Sequence, residues 1–258
     1  MNRSFVNNQD GTDANSESAS SVNEIVAQRR SRYKRIGMVG VRSAGAAGVA
    51  GAAFMMLTPG VAAAYDGNGA ANYAQHWALG FNPQYLAFPS DDCTNFISQA
   101  LTAGGGFPTT PPAPYQDLSA FYNYPSSVYA ENPTLDMTTG RQASLTATVV
   151  ADFKSYLNNN HLDIYEGSFS YNNGTASAPS DLPSSVVDGD VLFYDWGQGA
   201  GVSHATIKTS NGTDQYGFTG SEVSQHSNAR LNEFWTLKPT NAYWATTSVY
   251  YYHLPSSD

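Results

Sequence analysis

The apolar residues of this chain recur at helical spacing up to about residue 160 and alternate in pairs from about residue 186 onward. That change of period limits the folds open to the chain more than any other feature. In "CTNFISQALTAGG" (93–105), Cys93, Phe96, Ile97, Ala100 and Leu101 fall on one face of an amphipathic helix that Gly104 stops. "ANYAQHWALG" (71–80) reads as a short helix ending at a glycine, and "RQASLTATVVADFKSYLNNN" (141–160) as a longer one. Residues 106–140 are Pro- and Tyr-rich and read as irregular, and "NNGTASAPSDLPSS" (172–185) is a loop. The later segments "VVDGDVLFYDW", "VSHATIKTS", "QYGFTGSEVSQHS" and "ATTSVYYYHL" have the alternation of strands. Helices first and strands later predict an α+β domain, N-terminal helices packed on a C-terminal antiparallel sheet. No internal repeat is evident, and the Asn-Gly-Thr sequons at Asn173 and Asn211 matter only in a glycosylating host.

Ahead of that domain the composition is different. Residues 1–28 are polar and poor in aromatics, the signature of a disordered leader. "RRSRYKR" (29–35) then precedes an Ala/Gly-rich apolar stretch, 36–64, and this order describes a secretory signal peptide. Ala62 and Ala64 suit the small-residue positions of a cleavage site, so cleavage is expected to expose Tyr65. Arg42, the glycines and Pro59 argue against a retained transmembrane anchor, because the uninterrupted apolar run falls short of a bilayer span. Arg29-Arg30 with Lys34 loosely matches a twin-arginine signal, although Arg32 and Tyr33 replace its usual aromatic-apolar pair. The expected division is a leader and signal peptide over 1–64 and one domain over 65–258. The expected location is the cell-wall space of a bacterium of Gram-positive type.

Charge narrows the partners. Residues 65–258 carry five basic side chains against 17 acidic ones, a net charge of −12. Such a surface repels phosphate backbones, which excludes nucleic acid as an expected partner. A monomer is expected. The single cysteine, Cys93, rules out an intramolecular disulfide, but a domain of about 190 residues can stand on its hydrophobic core. A lone thiol outside the cell risks oxidation and needs a reason to be there.

Ser90, Asp91 and Asp92 are good N-cap residues, so Cys93 falls on the first turn of its helix. Orphan N–H groups there favour a thiolate, whereas the two aspartates oppose one, so a cationic imidazole partner is needed. The plainer alternative is a buried cysteine acting as a small hydrophobe beside Phe96 and Ile97. Of the five histidines, His76, His161 and His253 read as structural or solvated. His204 stands at the opening of a strand after a Gly-rich turn, where a base can face a helix across a cleft. In "SEVSQHSN", alternation sets Val223 and Gln225 on one face and Ser224, His226 and Asn228 on the other. A core-facing Val223 turns His226 and Asn228 toward a site. No HExxH, HxH or paired-cysteine spacing supports a metal centre, and no cofactor is expected.

"DCTNFISQAL", "GDVLFYDW", "SHATI" and "SQHS…LNEFW" together resemble the bacterial Putative amidase domain family, over about residues 68–254. That family is grouped with the papain-like CHAP and NlpC-type cell-wall hydrolases. The resemblance implies a papain-like fold, a nucleophilic Cys93 at a helix start and a base, His204, on the sheet. The third, orienting residue maps to His226, with Gln225 and Asn228 as register alternatives. It implies a cysteine amidase or peptidase acting on peptidoglycan, with the Cys93 N–H and a second donor, Asn82 or Tyr85, facing the oxyanion. A non-catalytic wall-binding module, suggested by aromatics such as Tyr250-Tyr251-Tyr252, Trp235 and Trp244, and a metal-dependent hydrolase using His204, His226 and a carboxylate are the competing readings.

Overall fold

A computed structural model describes residues 64–255, so the expectations for the leader and signal peptide over residues 1–63 lie outside the described residues. Helix α1 (Gly67–Trp77) begins four residues before the expected start, because the Asp66 carboxylate caps it and accepts from the Gly69 N–H at 3.0 Å. Its buried face is built of Ala70, Ala71 and Ala74. Helix α2 (Cys93–Gln99) continues into a π-helical turn, Ala100–Gly104, in which the Gly105 N–H reaches back to the Ala100 carbonyl at 3.0 Å. α1 and this turn lie close enough that a Cβ on Gly104 would sit 2.5 Å from the Tyr73 Cβ. Glycine is required by that approach.

The stretch expected to be irregular contains two short helices, α3 (Ser126–Glu131) and α4 (Pro133–Thr139). The second carries its own signals. Asn132 caps it, accepting from the Leu135 N–H at 3.1 Å, Pro133 opens it, and Gly140 closes it at φ +66°. The long helix expected over 141–160 is shorter: a 3₁₀ turn at Leu145–Ala147 precedes α5 (Val150–Asn159).

Six strands follow: β1 (Ile164–Ser170), β2 (Val191–Asp195), β3 (Val202–Thr213), β4 (Thr219–Gln225), β5 (Arg230–Phe234) and β6 (Ser248–His253). They form one sheet in the order β1-β6-β2-β3-β4-β5, with antiparallel pairing throughout. The expected α+β architecture and antiparallel sheet are therefore present. β1 and β5 extend it beyond the four expected strands.

Both faces of this sheet are buried. On one, Val191, Phe193, Ala205 and Ile207 pack beneath Phe96, Ile97, Leu101, Phe153 and Leu157 of the helices. On the other, Leu192, Tyr194, Val223, Val249 and Tyr251 meet Leu182, Val186, Phe234, Trp235 and Leu237. Alternation sends successive residues of one strand into different cores. Among the described residues, no helix is long and apolar enough to cross a membrane.

Candidate active site

Cys93 is the first residue of α2 and is half-buried. Asp92 occupies the cap position but its carboxylate does not cap the helix. The Asp92 and Cys93 N–H groups instead donate to the Ser227 hydroxyl oxygen, at 2.6 and 3.1 Å. A residue far along the chain thus closes the helix start. Fully buried Phe96 and Ile97 anchor the helix to the core.

His204 lies near the start of β3 and is buried. Its ring is stacked on Trp196, with 5.4 Å between centroids, and flanked by Tyr194. The Nε2 atom of His204 is 2.9 Å from the Gln225 Oε1. The Gln225 amide nitrogen donates to the Asn228 carbonyl at 3.1 Å, which fixes the amide oxygen toward the imidazole. An acceptor at Nε2 keeps the ring proton there and leaves Nδ1 as the acceptor on the other side. The same imidazole interacts with the Cys93 thiol. Burial pushes the Cys93 thiol up. The hydrogen bond and charge of His204, with help from the Thr94 hydroxyl and the Ala205 N–H, outweigh burial and hold the thiol below its ordinary range.

The structure thus brings Cys93 and His204 together and gives the partner position to Gln225, not to His226. Both ring nitrogens of His226 are engaged elsewhere: Nδ1 lies 2.6 Å from the Asp92 Oδ2 and Nε2 lies 2.9 Å from the Trp77 carbonyl. Both partners are acceptors, so a proton lies between Nδ1 and Oδ2. The ring is stacked on Phe96, 4.0 Å between centroids, and meets the edge of Phe81. The reason is the second core. Val223 is buried as expected, but on the sheet face it shares with Tyr194. Tyr194 pairs with His204, and Lys208 pairs with Val223, so His204, Val223 and Gln225 share that face. His226 is turned to the helix face. The bulge near Gln225 does not alter this, because the extra residue lies in β5, where Asn232 adopts φ +49°.

His226 meets a different need. Asp92 is almost fully buried beside Cys93, and its Oδ1 already accepts from the Phe88 N–H and the Asn95 amide, each at 2.8 Å. The imidazole supplies the partner for the remaining oxygen, which answers the aspartate repulsion foreseen from sequence. Asn228 contributes its carbonyl rather than its side chain. Of the two expected second donors, Asn82 is committed at both ends of its amide, to the Tyr73 hydroxyl and the Gln84 N–H. Burial pushes the Tyr85 hydroxyl up, so it keeps its proton as a donor. Sequence reasoning missed Ser227; its only signal was its place directly after Gln225-His226.

The other histidines stand apart: His253 binds Asp190 at 3.0 Å, and His76 packs on Trp77. No group of three or more His, Cys, Asp or Glu that could hold a metal ion is present among the described residues. A cleft of about 660 Å³ opens between the start of α1 and the 181–188 loop, and Cys93, His204 and Gln225 do not line it.

Fold and site together define an α+β domain in which a helix-start thiol and a carboxamide both interact with one sheet imidazole. The chain belongs to the Putative amidase domain family, which it matches over residues 64–252, and amide hydrolysis is the activity that family suggests. It is also similar to an uncharacterized protein, YhbB, of Bacillus subtilis (strain 168), 26% identical over 195 residues. The alignment takes in 76% of this chain and 52% of YhbB, so the chain spans about half the length of the curated relative it matches. No solved structure matches.

Proposed function

We propose that the protein is an exported cysteine amidase or peptidase, papain-like in the arrangement of its site, that hydrolyses amide bonds in peptidoglycan. The observation that carries the reading is the imidazole of His204, fixed at Nε2 by the Gln225 amide oxygen at 2.9 Å and interacting with the Cys93 thiol so as to hold it below its ordinary range. His204 takes the thiol proton, and the Cys93 sulfur attacks the amide carbonyl carbon. Collapse of the tetrahedral intermediate breaks the C–N bond, and His204 returns the proton to the leaving amine. Water, deprotonated by the same imidazole, releases the acyl group. Gln225 holds the ring in one tautomer throughout, the orienting duty of the third member of a triad. The peptidoglycan assignment rests on the family resemblance, the export signal read in residues 29–64, and an acidic domain unsuited to nucleic acid.

The test is release of fragments from purified peptidoglycan, followed by mass spectrometry. Cys93→Ala and His204→Ala each abolish release, and the double variant is little worse than either, since the two act as a unit. A chelator leaves release unchanged. Activity that survives in Cys93→Ala but is lost with chelator would overturn the mechanism, and wall binding without cleavage would favour a binding module.

A further inference from the structure

The hydroxyl of Ser227 is placed beside the nucleophile in an unusual hydrogen-bonding state. A serine hydroxyl offers two lone pairs and one proton. Here the oxygen accepts two backbone N–H groups, from Asp92 at 2.6 Å and from Cys93 at 3.1 Å. The proton is left to point away from both. Accepting two hydrogen bonds polarises the O–H and makes it a stronger donor. Ser227 is half-buried at the end of β4, and its backbone adopts φ +62°, followed by Asn228 at φ +105°. Non-glycine residues seldom adopt such values, and consecutive ones mark a turn that its neighbours hold in place. Those neighbours are themselves held: Gln225 is tied to His204 and Asn228, and His226 to Asp92 and Trp77.

The same arrangement bears on where a negative oxygen could be stabilised. The Cys93 N–H, the donor expected from sequence, is already spent on Ser227. We propose that Ser227 is a further catalytic residue, whose O–H donates to the carbonyl oxygen as it becomes negative and so relays the Asp92 and Cys93 N–H groups to it. The inference rests on Cys93 being the nucleophile. As the S–C bond forms, the carbonyl π pair moves onto oxygen, and Ser227 hydrogen-bonds that oxygen without giving up its proton. When the pair returns, the C–N bond breaks and His204 protonates the amine. Ser227 ends as it began.

Removing one such donor lowers kcat by about 10²–10³. A test on the full chain that does not depend on the natural substrate uses N-acetyl-phenylalaninal, whose aldehyde adds reversibly to a thiolate and leaves an oxyanion-bearing carbon. Protection of Cys93 from iodoacetamide reports that addition, while alkylation alone reports the Cys93–His204 pair, since alkylation builds no oxyanion. Ser227→Ala is expected to weaken protection by about tenfold or more and to leave the alkylation rate within a few-fold. Ser227→Gly, which tolerates the positive φ, behaves the same way, so lost backbone comfort is separated from the lost hydroxyl. Unchanged or tighter protection in both variants would overturn the proposal, because it would mean that the carbonyl oxygen displaces Ser227 from the Cys93 N–H. Absence of protection in the unmodified protein would overturn it too. Failure of iodoacetamide to label unmodified Cys93 would instead sink the nucleophile reading itself.

Discussion

Gln225 and His226 are adjacent, yet their side chains leave opposite faces of the sheet, and that half-turn divides their duties. Gln225→Ala frees the His204 ring to turn and to change tautomer. We expect kcat to fall by about 10²–10⁴, with KM nearly unchanged. Steady-state kinetics on wall fragments measure it, and a milder loss than that of His226→Ala would contradict the assignment. His226→Ala acts through the fold, since it leaves the buried Asp92 carboxylate short of a partner. Breaking a buried pair from one side costs about 3 kcal/mol or more, or roughly 6–12 °C in Tm for a domain of this size; thermal unfolding tests it. The thiol gives a pH prediction. Because its hydrogen bond and charge interaction with His204 lower its titration, iodoacetamide labelling of Cys93 should rise at a pH below that of an ordinary thiol, about 8.5. In His204→Ala the rise moves upward, because burial then acts with less opposition.

Elements place these residues, and they differ in how plainly the sequence announces them. The α2 face is legible because Phe96, Ile97, Ala100 and Leu101 recur at helical spacing and are all fully buried. β2 and β3 are legible as strands, and with them the place of His204 near the start of β3. The edge strand β1 is not, since it is half-exposed and broken by Gly167, so no apolar face repeats along it. The face assignment of β4 fails for a different reason: one strand cannot reveal that a second core covers the far side of its sheet. Loop 181–188 and residues 234–237, which supply that core, come from distant parts of the chain. Ser227 is equally hidden, because its contact with Cys93 spans 134 positions. The close approach of α1 to the turn after α2 gives a prediction at this scale. Gly104→Ala forces a methyl against Tyr73 and the Gly69 carbonyl, at 2.5 and 2.8 Å. The cost expected is about 1–3 kcal/mol, read as a lower denaturation midpoint, and an unchanged midpoint would contradict the packing described.

At the scale of the whole chain, the domain unites a disulfide-free core with a strongly acidic composition, five basic residues against 17 acidic after residue 64. Two buried faces on one sheet explain how such a domain dispenses with cross-links. If the segment before Tyr65 is removed on export, N-terminal sequencing of protein recovered from the medium begins at or within a few residues of Tyr65; full-length protein held in the membrane would contradict export. The central claim is covalent catalysis by Cys93 on a wall amide, and its most direct test is acid-quenching the protein during turnover of purified peptidoglycan fragments, then weighing its proteolytic peptides. The account predicts a thioester on the peptide that contains Cys93, its added mass naming the acyl group and hence the bond cut. Fragment release with no adduct on Cys93, or an adduct on another residue, would contradict it.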